Sequence, residues 1–460
     1  MKLTVLGGGG VRSPFLAKSI VSNADMVGIN EIVFMDNDKE KLFIYGKIAM
    51  NLAKRINPDI KFSITSDAKE ALTDADFVIT TLRVGGDEGR VSDERIALNN
   101  GLLGQETTGA GGFAMALRSV PALIDYCHLI REVAKPEALV FNFTNPSGIV
   151  TQALRSQGFD NVYGICDAPS EFIKQLREIL DVEPEDFDIT CFGLNHLSWF
   201  KDAKVKGKDV MGEILNHPKL YTDTEMRLFQ PELTRMSGDL LLNEYLYFYY
   251  YREQAIDSIN KSGKTRGETI LEINNQMTKA LKEINIDEDF EEAFKIFMTH
   301  YLIRENSYFS IESGQLRPKQ LNVPSVQEVI ETPDEGGYAG VALNFVRAYS
   351  TGERTLMVLS IPNEGAIEGL ADDDVVEISC VIDKKKVTPI AVGEIKDMQM
   401  NLIKTIKYYE RKTIEAILNK DRDMAIKALT VHPLINSYSL ATELVDGYLE
   451  QYKDYVGEWN

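Results

Sequence analysis

The run Lys2-Leu-Thr-Val-Leu6, followed at once by Gly7-Gly8-Gly9-Gly10, constrains the fold more than any other stretch of this chain. The apolar run reads as a buried strand, and the glycines turn it. After Val11-Arg12, the segment Phe15–Val21 has helical spacing, with Ser13 expected as N-cap and Pro14 at the first helical position. A glycine turn between strand and helix lets a pyrophosphate approach backbone N–H groups at the positive helix end. Gly8 and Gly10 match the first two glycines of the dinucleotide fingerprint, whereas Ser13 stands where the third belongs. An ordinary βα turn could carry the same residues, so the second strand matters. Glu31–Met35 ends in Asp36, at the distance from the turn where a carboxylate accepts from adenosine ribose hydroxyls. An acid there favours NAD over NADP, because it repels a 2′-phosphate.

The alternation then repeats. A helix is expected over Lys39–Arg55, a strand over Lys61–Ile64, a short helix over Ala68–Leu72, and strands over Asp76–Thr81 and Ala138–Phe143. Strands alternating with helices form a parallel sheet, so the fold class is α/β with a Rossmann-type doubly wound arrangement. Ligands of such sheets lie beyond the carboxyl ends of the strands, which directs Arg83 and Arg90 toward a site. Either arginine could instead close a surface salt bridge, although glycine-rich flanks argue against that for Arg90. The loop Gly104–Gly112 carries Glu106 among small residues that make room for something. It leads into a helix expected over Val120–Arg131, with Pro121 in the first turn. Asn145, before Pro146 at a strand end, is placed to donate to a substrate hydroxyl or to serve as a turn residue.

Charge narrows the partners. The 460 residues carry a net charge of −20, which argues against nucleic acid and requires a local arginine or lysine pocket for any anionic substrate. Four cysteines without framework spacing suit a reducing cytoplasm. No signal peptide is expected, and no apolar stretch approaches the roughly 18 residues of a bilayer span.

Further on, Cys166-Asp167 and Asn195-His196 place a thiol, a carboxylate, an amide and an imidazole at the ends of apolar segments. Cysteine with histidine suits a transition-metal ion, although two such residues taken alone are more often a buried core pair. Tyr245 lies in an aromatic-rich amphipathic segment, expected as part of one helix over Gly238–Gln254, that could simply be core.

Taken in order, Arg83-Val-Gly, Arg90 with Asp93-Glu94, Gly104-Gln-Glu-Thr, Asn145-Pro, Cys166-Asp167-x-Pro169, Gly193-Leu-Asn-His196 and Asn243-x-Tyr245 resemble glycoside hydrolase family 4. That family comprises NAD- and manganese-dependent hydrolases of 6-phosphoglucosides and related sugars. The resemblance covers nearly the whole chain, including Asn363–Ile367. It implies Cys166 and His196 as metal ligands, Tyr245 as general base, Glu106 as the carboxylate that raises its basicity, and Asp167 as catalytic acid. Arg90, Asn145, Asn195 and Arg266 match substrate contacts, the arginines being candidates for the phosphate; Gly8, Gly10, Ser13, Asp36 and Arg83 fall to the cofactor. The implied chemistry is transient oxidation at C3, removal of the acidified C2 proton, departure of the C1 group, addition of water and return of the hydride. The metal would stabilise the enediolate.

Two readings compete at the level of substrate. The Gly104–Phe113 loop with Ala116-Leu-Arg118 looks like the 6-phospho-β-glucosidases, whereas Asp after the cysteine looks like the α-specific members; the β reading leads because its residues cover more of the chain. A net hydroxy-acid dehydrogenase is the alternative from another class. No His–Asp base pair stands where such an enzyme keeps one, since His128, His196, His217, His300 and His432 are scattered.

The remainder reads as a helix-rich α/β substrate, metal and oligomerisation domain over 171–460, following an NAD-binding domain over 1–170. Strands are expected at Ile189–Phe192, Lys201–Gly207, Arg354–Ser360 and Val375–Ile382. Helices are expected at Glu268–Lys282, Phe290–Arg304, Gly340–Tyr349, Met398–Leu418 and Ser437–Tyr452. By resemblance the overall fold is that of lactate and malate dehydrogenases, and the assembly a homodimer or homotetramer.

Overall fold

The computed structural model describes residues 1–314, 322–333 and 337–460. Its strands are β1 (Lys2–Leu6), β2 (Glu31–Met35), β3 (Lys61–Thr65), β4 (Phe77–Thr80), β5 (Leu139–Asn142), β6 (Val162–Gly164), β7 (Phe187–Leu194), β8 (Leu197–Val205), β9 (Lys208–Asp209), β10 (Leu241–Leu242), β11 (Thr355–Pro362), β12 (Val375–Asp383) and β13 (Lys386–Pro389). The first six pair in parallel in the order β3-β2-β1-β4-β5-β6, the doubly wound order expected of a nucleotide-binding sheet. β4 and β5 are buried throughout and β1 and β2 almost so, which is why apolar residues dominate all four.

The sheet does not stop at β6. β11 joins it antiparallel, with Ser360 opposite Gly164, and β12, β7, β8 and β10 continue the same layer antiparallel. A Cβ on Gly164 would sit 2.6 Å from the Ser360 Cβ, so the two halves can join only where the first carries no side chain. β7 and β8 form a hairpin whose two-residue loop is Asn195-His196. A second apolar cluster packs Ile48 and Leu52 against Met277, Phe290, Phe294 and Phe297. Each such buried phenylalanine contributes roughly 1.5–3 kcal/mol, and together they clamp the helix Arg266–Lys282 against the half that carries the parallel strands.

Four expectations are corrected. Ser13 is not an N-cap: Arg12 occupies that position without a capping side chain, and Ser13 is the buried first residue of the helix Ser13–Ser22. The helix expected from Val120 begins at Gly109 and runs to Val133, so Gly109–Gly112 are its first turn and Pro121 lies in its interior. Pro121 faces solvent, where water can satisfy the carbonyl that loses its partner. That same helix, among the described residues, is long and apolar enough to cross a membrane, contrary to expectation, with 61% of its most apolar window buried in the core. The helix expected over Gly238–Gln254 is broken: Leu241–Leu242 pair with β8, Asn243 accepts from the Tyr245 N–H, and short helical turns follow before the helix Arg252–Ser262.

Candidate active site

A cavity of about 850 Å³ opens at the carboxyl ends of the parallel strands. All the candidate residues line it except Gly8, Ser13 and Asn195. The N–H groups of Gly7 and Gly8 both donate to the Met35 carbonyl, at 2.9 and 2.8 Å, which draws the turn onto the end of β2. A Cβ on Gly8 would lie 2.5 Å from the Phe34 Cβ, so no other residue fits there. Ser13, 2% exposed, is small enough for the helix to sit close behind the strand, the part a third glycine would take. Asp36 accepts from the N–H groups of Gly9 (2.9 Å) and Asp38 (3.0 Å). Burial raises its pKa while those donors oppose the rise. A turn without side chains, ending against a carboxylate in the same cavity, fits a dinucleotide.

The thiol and imidazole meet. Cys166, in the turn between β6 and the helix Ala168–Leu180, has Sγ 3.7 Å from Nε2 of His196. With bonds of about 2.3 Å to sulfur and about 2.1 Å to nitrogen, one ion spans that gap at an angle of about 115°. Among the described residues no group of three or more His, Cys, Asp or Glu side chains could hold a metal. The pair therefore fits an ion whose other positions stay open to water or substrate, as in a catalytic site. His196 has φ +62°, a left-handed conformation costing a non-glycine residue about 1–3 kcal/mol, and the hairpin holds it there. Burial lowers its pKa to about 4, so the ring is the neutral imidazole a metal needs. Burial pushes the Cys166 thiol well up, with Glu377 and Asp167 adding to the rise, so a thiolate here requires a cation.

Tyr245 stacks on the His196 ring, centroids 3.7 Å apart and planes within 5°. Its hydroxyl lies 3.0 Å from that of Tyr308, which donates to Glu244 at 2.7 Å. Burial, then Glu244, raises the Tyr245 pKa well above normal, and the Tyr308 bond opposes this; in the protein alone the phenol is protonated. A phenol acts as a base only once deprotonated, so a cation bound beside it would have to bring the value down.

An ionic lattice forms the opposite wall. Glu106 pairs with Arg83, and with Arg90 at 3.0 Å, while Arg90 also holds Glu94 at 2.7 Å. Burial would raise the Glu106 pKa, but Arg83 and Arg90 overcome it and hold the carboxyl well below its usual range. Arg90 lies on a helix, Gly86–Asn99, and is buried there with Asp93 and Glu94. Arg266, Arg304 and Arg12 line the same cavity, so the chain of net charge −20 does hold a local cationic pocket. Arg266 pairs with Ser307 and donates to the Arg304 carbonyl at 3.1 Å, and burial foremost lowers its pKa to about 10. Nε and Nη1 of Arg304 have no hydrogen-bond partner among the described residues.

Asp167 lies 3.7 Å from Arg12, across from the glycine turn. Asn195 does not face the cavity: its amide donates to Glu377 at 2.9 Å, and Ser198 donates to the other oxygen at 2.8 Å. Burial raises the Glu377 pKa to about 7 against those bonds. Sequence reasoning missed Tyr308, Arg304, Gln105 and Thr107. The last two sit beside Glu106 in a loop already singled out, whereas Tyr308 and Arg304 carried no local signal.

Fold and cavity together define an enzyme of the doubly wound α/β class whose nucleotide turn and soft donor pair share one cleft. Residues 2–182 match the family 4 glycosyl hydrolase model, and residues 191–435 match the family 4 glycosyl hydrolase C-terminal domain. The 6-phospho-beta-glucosidase BglT of Thermotoga maritima is 31% identical over 458 residues, covering 99% of each chain. A structure of the 6-phospho-beta glucosidase from Thermotoga maritima with manganese, NAD+ and glucose-6-phosphate superposes with a TM-score of 0.81 at 30% identity, covering 100% of both chains. A 6-phospho-alpha-glucosidase from gut microorganisms, in complex with NAD and glucose-6-phosphate, gives 0.82 at 28% identity over 100% of this chain and 99% of the other. A malate dehydrogenase from Naegleria fowleri, 11% identical with a TM-score of 0.50 over 91% of this chain and 98% of its own, shares the fold alone. This chain belongs to the family 4 glycosyl hydrolases.

Proposed function

We propose that this protein hydrolyses 6-phospho-glucosides with NAD and a divalent ion, Mn²⁺ foremost, and that 6-phospho-β-glucosides are its lead substrates. The observation that carries the reading is that the Cys166–His196 pair, the stacked Tyr245 and the arginine pocket open into the same cavity as the dinucleotide turn. Relatives named for NAD, manganese and glucose-6-phosphate support the choice of cofactors and substrate.

Gly8, Gly10 and Ser13 shape the turn for the pyrophosphate, Asp36 accepts from the ribose, and Arg83 closes the far side. Cys166 and His196 would hold the ion. Bound NAD supplies a reversible hydride acceptor and the ion a Lewis acid, which together acidify a C–H bond that the intact sugar keeps inert. Arg90 and Arg266 receive the 6-phosphate, and Asn145 a sugar hydroxyl. Asn195, turned toward Glu377, acts on the sugar only if that bond opens. The Tyr245 phenolate removes the C2 proton, and its hydroxyl is held for this by Tyr308. Glu106, kept ionised by Arg83 and Arg90, adds negative charge that raises the basicity of Tyr245. Asp167 protonates the departing oxygen. In this reading residues 1–170 bind the nucleotide and 171–460 complete the metal and substrate site, in a cytoplasmic homodimer or homotetramer. The reducing cytoplasm keeps the Cys166 thiol available.

The test is direct. The purified protein is incubated with NAD, Mn²⁺ and reductant on nitrophenyl β- and α-glucoside 6-phosphates, side by side. Cleavage of the β anomer is expected, without net NADH. Cleavage of the α anomer alone assigns the α reading carried by Asp167, and cleavage of neither refutes the proposal.

A further inference from the structure

His196 can ligate through Nε2 only if the ring proton sits on Nδ1, so something must fix the tautomer. Nδ1 lies 2.9 Å from the Thr107 hydroxyl. That hydroxyl is itself 2.9 Å from Oε1 of Gln105. The identity of the amide atom follows from its other neighbours: the backbone N–H groups of Thr107 (2.6 Å) and Thr108 (2.9 Å) both point at it. Only the carbonyl oxygen accepts from two N–H groups, so the Gln105 nitrogen cannot occupy that place. Two bare oxygens would repel at hydrogen-bond distance, so Thr107 donates its single proton to Gln105. What remains on its oxygen for His196 is a lone pair.

We propose that Gln105 and Thr107 are positioning residues that hold His196 as the Nδ1–H tautomer and thereby keep Nε2 free for the ion. The inference rests on the reading of His196 as a metal ligand. The other side of the ring accommodates this tautomer, since a Cys166 thiol 3.7 Å away can donate to an unprotonated Nε2. The loop is held rigidly enough to matter. Tyr249 bonds the Thr108 hydroxyl at 2.6 Å, and Tyr409 donates to the Gly109 carbonyl at 3.1 Å. Gly111 lies so close that a Cβ there would fall well inside van der Waals contact distance of the Gln105 backbone carbonyl oxygen. Stacking on Tyr245 fixes the plane of the imidazole, and Thr107 its proton. Histidine ligands in metal sites are commonly oriented by such outer partners, whose loss weakens metal binding about 10–100-fold.

The experiment uses the full chain, with ¹⁵N-labelled histidine, first stripped of metal by a chelator. Multiple-bond ¹H–¹⁵N correlation reads the tautomer of each ring, with His196 assigned by its absence in His196→Ala. The wild type is expected as Nδ1–H; finding Nε2–H overturns the inference without need of a loop variant. Thr107→Val, which keeps the shape and loses the hydroxyl, is expected to give a tautomer mixture and to weaken Mn²⁺ binding by about 10–100-fold in electron paramagnetic resonance titration. Thr107→Ser is expected to restore both. An unchanged tautomer and Mn²⁺ affinity in Thr107→Val also overturns it. If His196→Ala leaves Mn²⁺ affinity unchanged, the metal reading fails instead, while the ring spectrum still judges the hydrogen-bond chain by itself.

Discussion

Acid should destabilise this protein through His432, a residue that does not line the cavity. The side chain is 0% exposed, and Tyr409 meets it edge-on at 4.6 Å. Its Nδ1 accepts from the Leu434 N–H at 3.2 Å, while Nε2 has no hydrogen-bond partner among the described residues. Burial alone lowers its pKa from 6.5 to about 3. The folded value lies below the unfolded one, so the stabilisation is complete above 6.5 and is lost as pH falls toward 3. The difference, 6.5 − 3 = 3.5 units, corresponds to about 5 kcal/mol in full at about 1.36 kcal/mol per unit. By about pH 5 the lost part is about 2 kcal/mol, because the unfolded imidazole is then almost fully protonated and the folded one is not. Urea unfolding of the metal-free wild type and of His432→Leu, at about pH 7 and about pH 5, isolates this contribution; His196, also depressed by burial, is common to both proteins and cancels. The wild type is expected to lose about 2 kcal/mol more than the variant across that interval. Equal losses, or an NMR titration of His432 near its ordinary value, would refute the reasoning. The consequence reaches the site, since His432 packs under Gly109 at the start of the helix that follows the Glu106 loop.

Three more perturbations probe the scaffold. Arg118 holds Asp93 through two bonds of 2.9 and 2.7 Å with both side chains at most 1% exposed, so Arg118→Met should cost about 3–5 kcal/mol, and adding Asp93→Leu should recover part of it in urea unfolding. Gly111→Ala should push the Gln105–Thr107 loop off His196 and weaken Mn²⁺ binding at least about 10-fold, measured by titration, whereas an unaltered affinity would mean the loop yields without cost. Tyr308→Phe removes the hydroxyl that joins Tyr245 to Glu244; kcat should fall about 10-fold or more with KM nearly unchanged, and exchange of the substrate C2 proton with solvent should slow in parallel.

What was legible in the residues depended on where apolar and polar groups fall relative to the core. The parallel strands announce themselves because both faces are buried, and the glycine turn with Asp36 because a pyrophosphate and a ribose leave little choice of residue. The helix Gly86–Asn99 escaped notice because the face it buries carries Arg90, Asp93 and Glu94, which inverts the usual periodicity. Pro121 read as a helix start because a local rule places proline there; burial of the preceding residues Gly109–Val120 overrides it.

The sequence by itself determined the α/β class, the nucleotide turn and the identity of most residues that gather around the cavity. Strand burial and glycine sterics, properties of short segments, account for the first two, whereas most of the site residues were named by the resemblance that their ordered motifs carry. Only the tertiary structure decided that Cys166 and His196 stand 3.7 Å apart and that Tyr245 lies flat on the imidazole. The same holds for the placement of Arg304 and Tyr308 in the cavity, the turn of Asn195 toward Glu377, and the meeting of Thr107 with a histidine 89 residues away. The first of these relations depends on the sheet carrying the β7–β8 loop to the turn after β6, and all of them on long-range packing that no local pattern encodes.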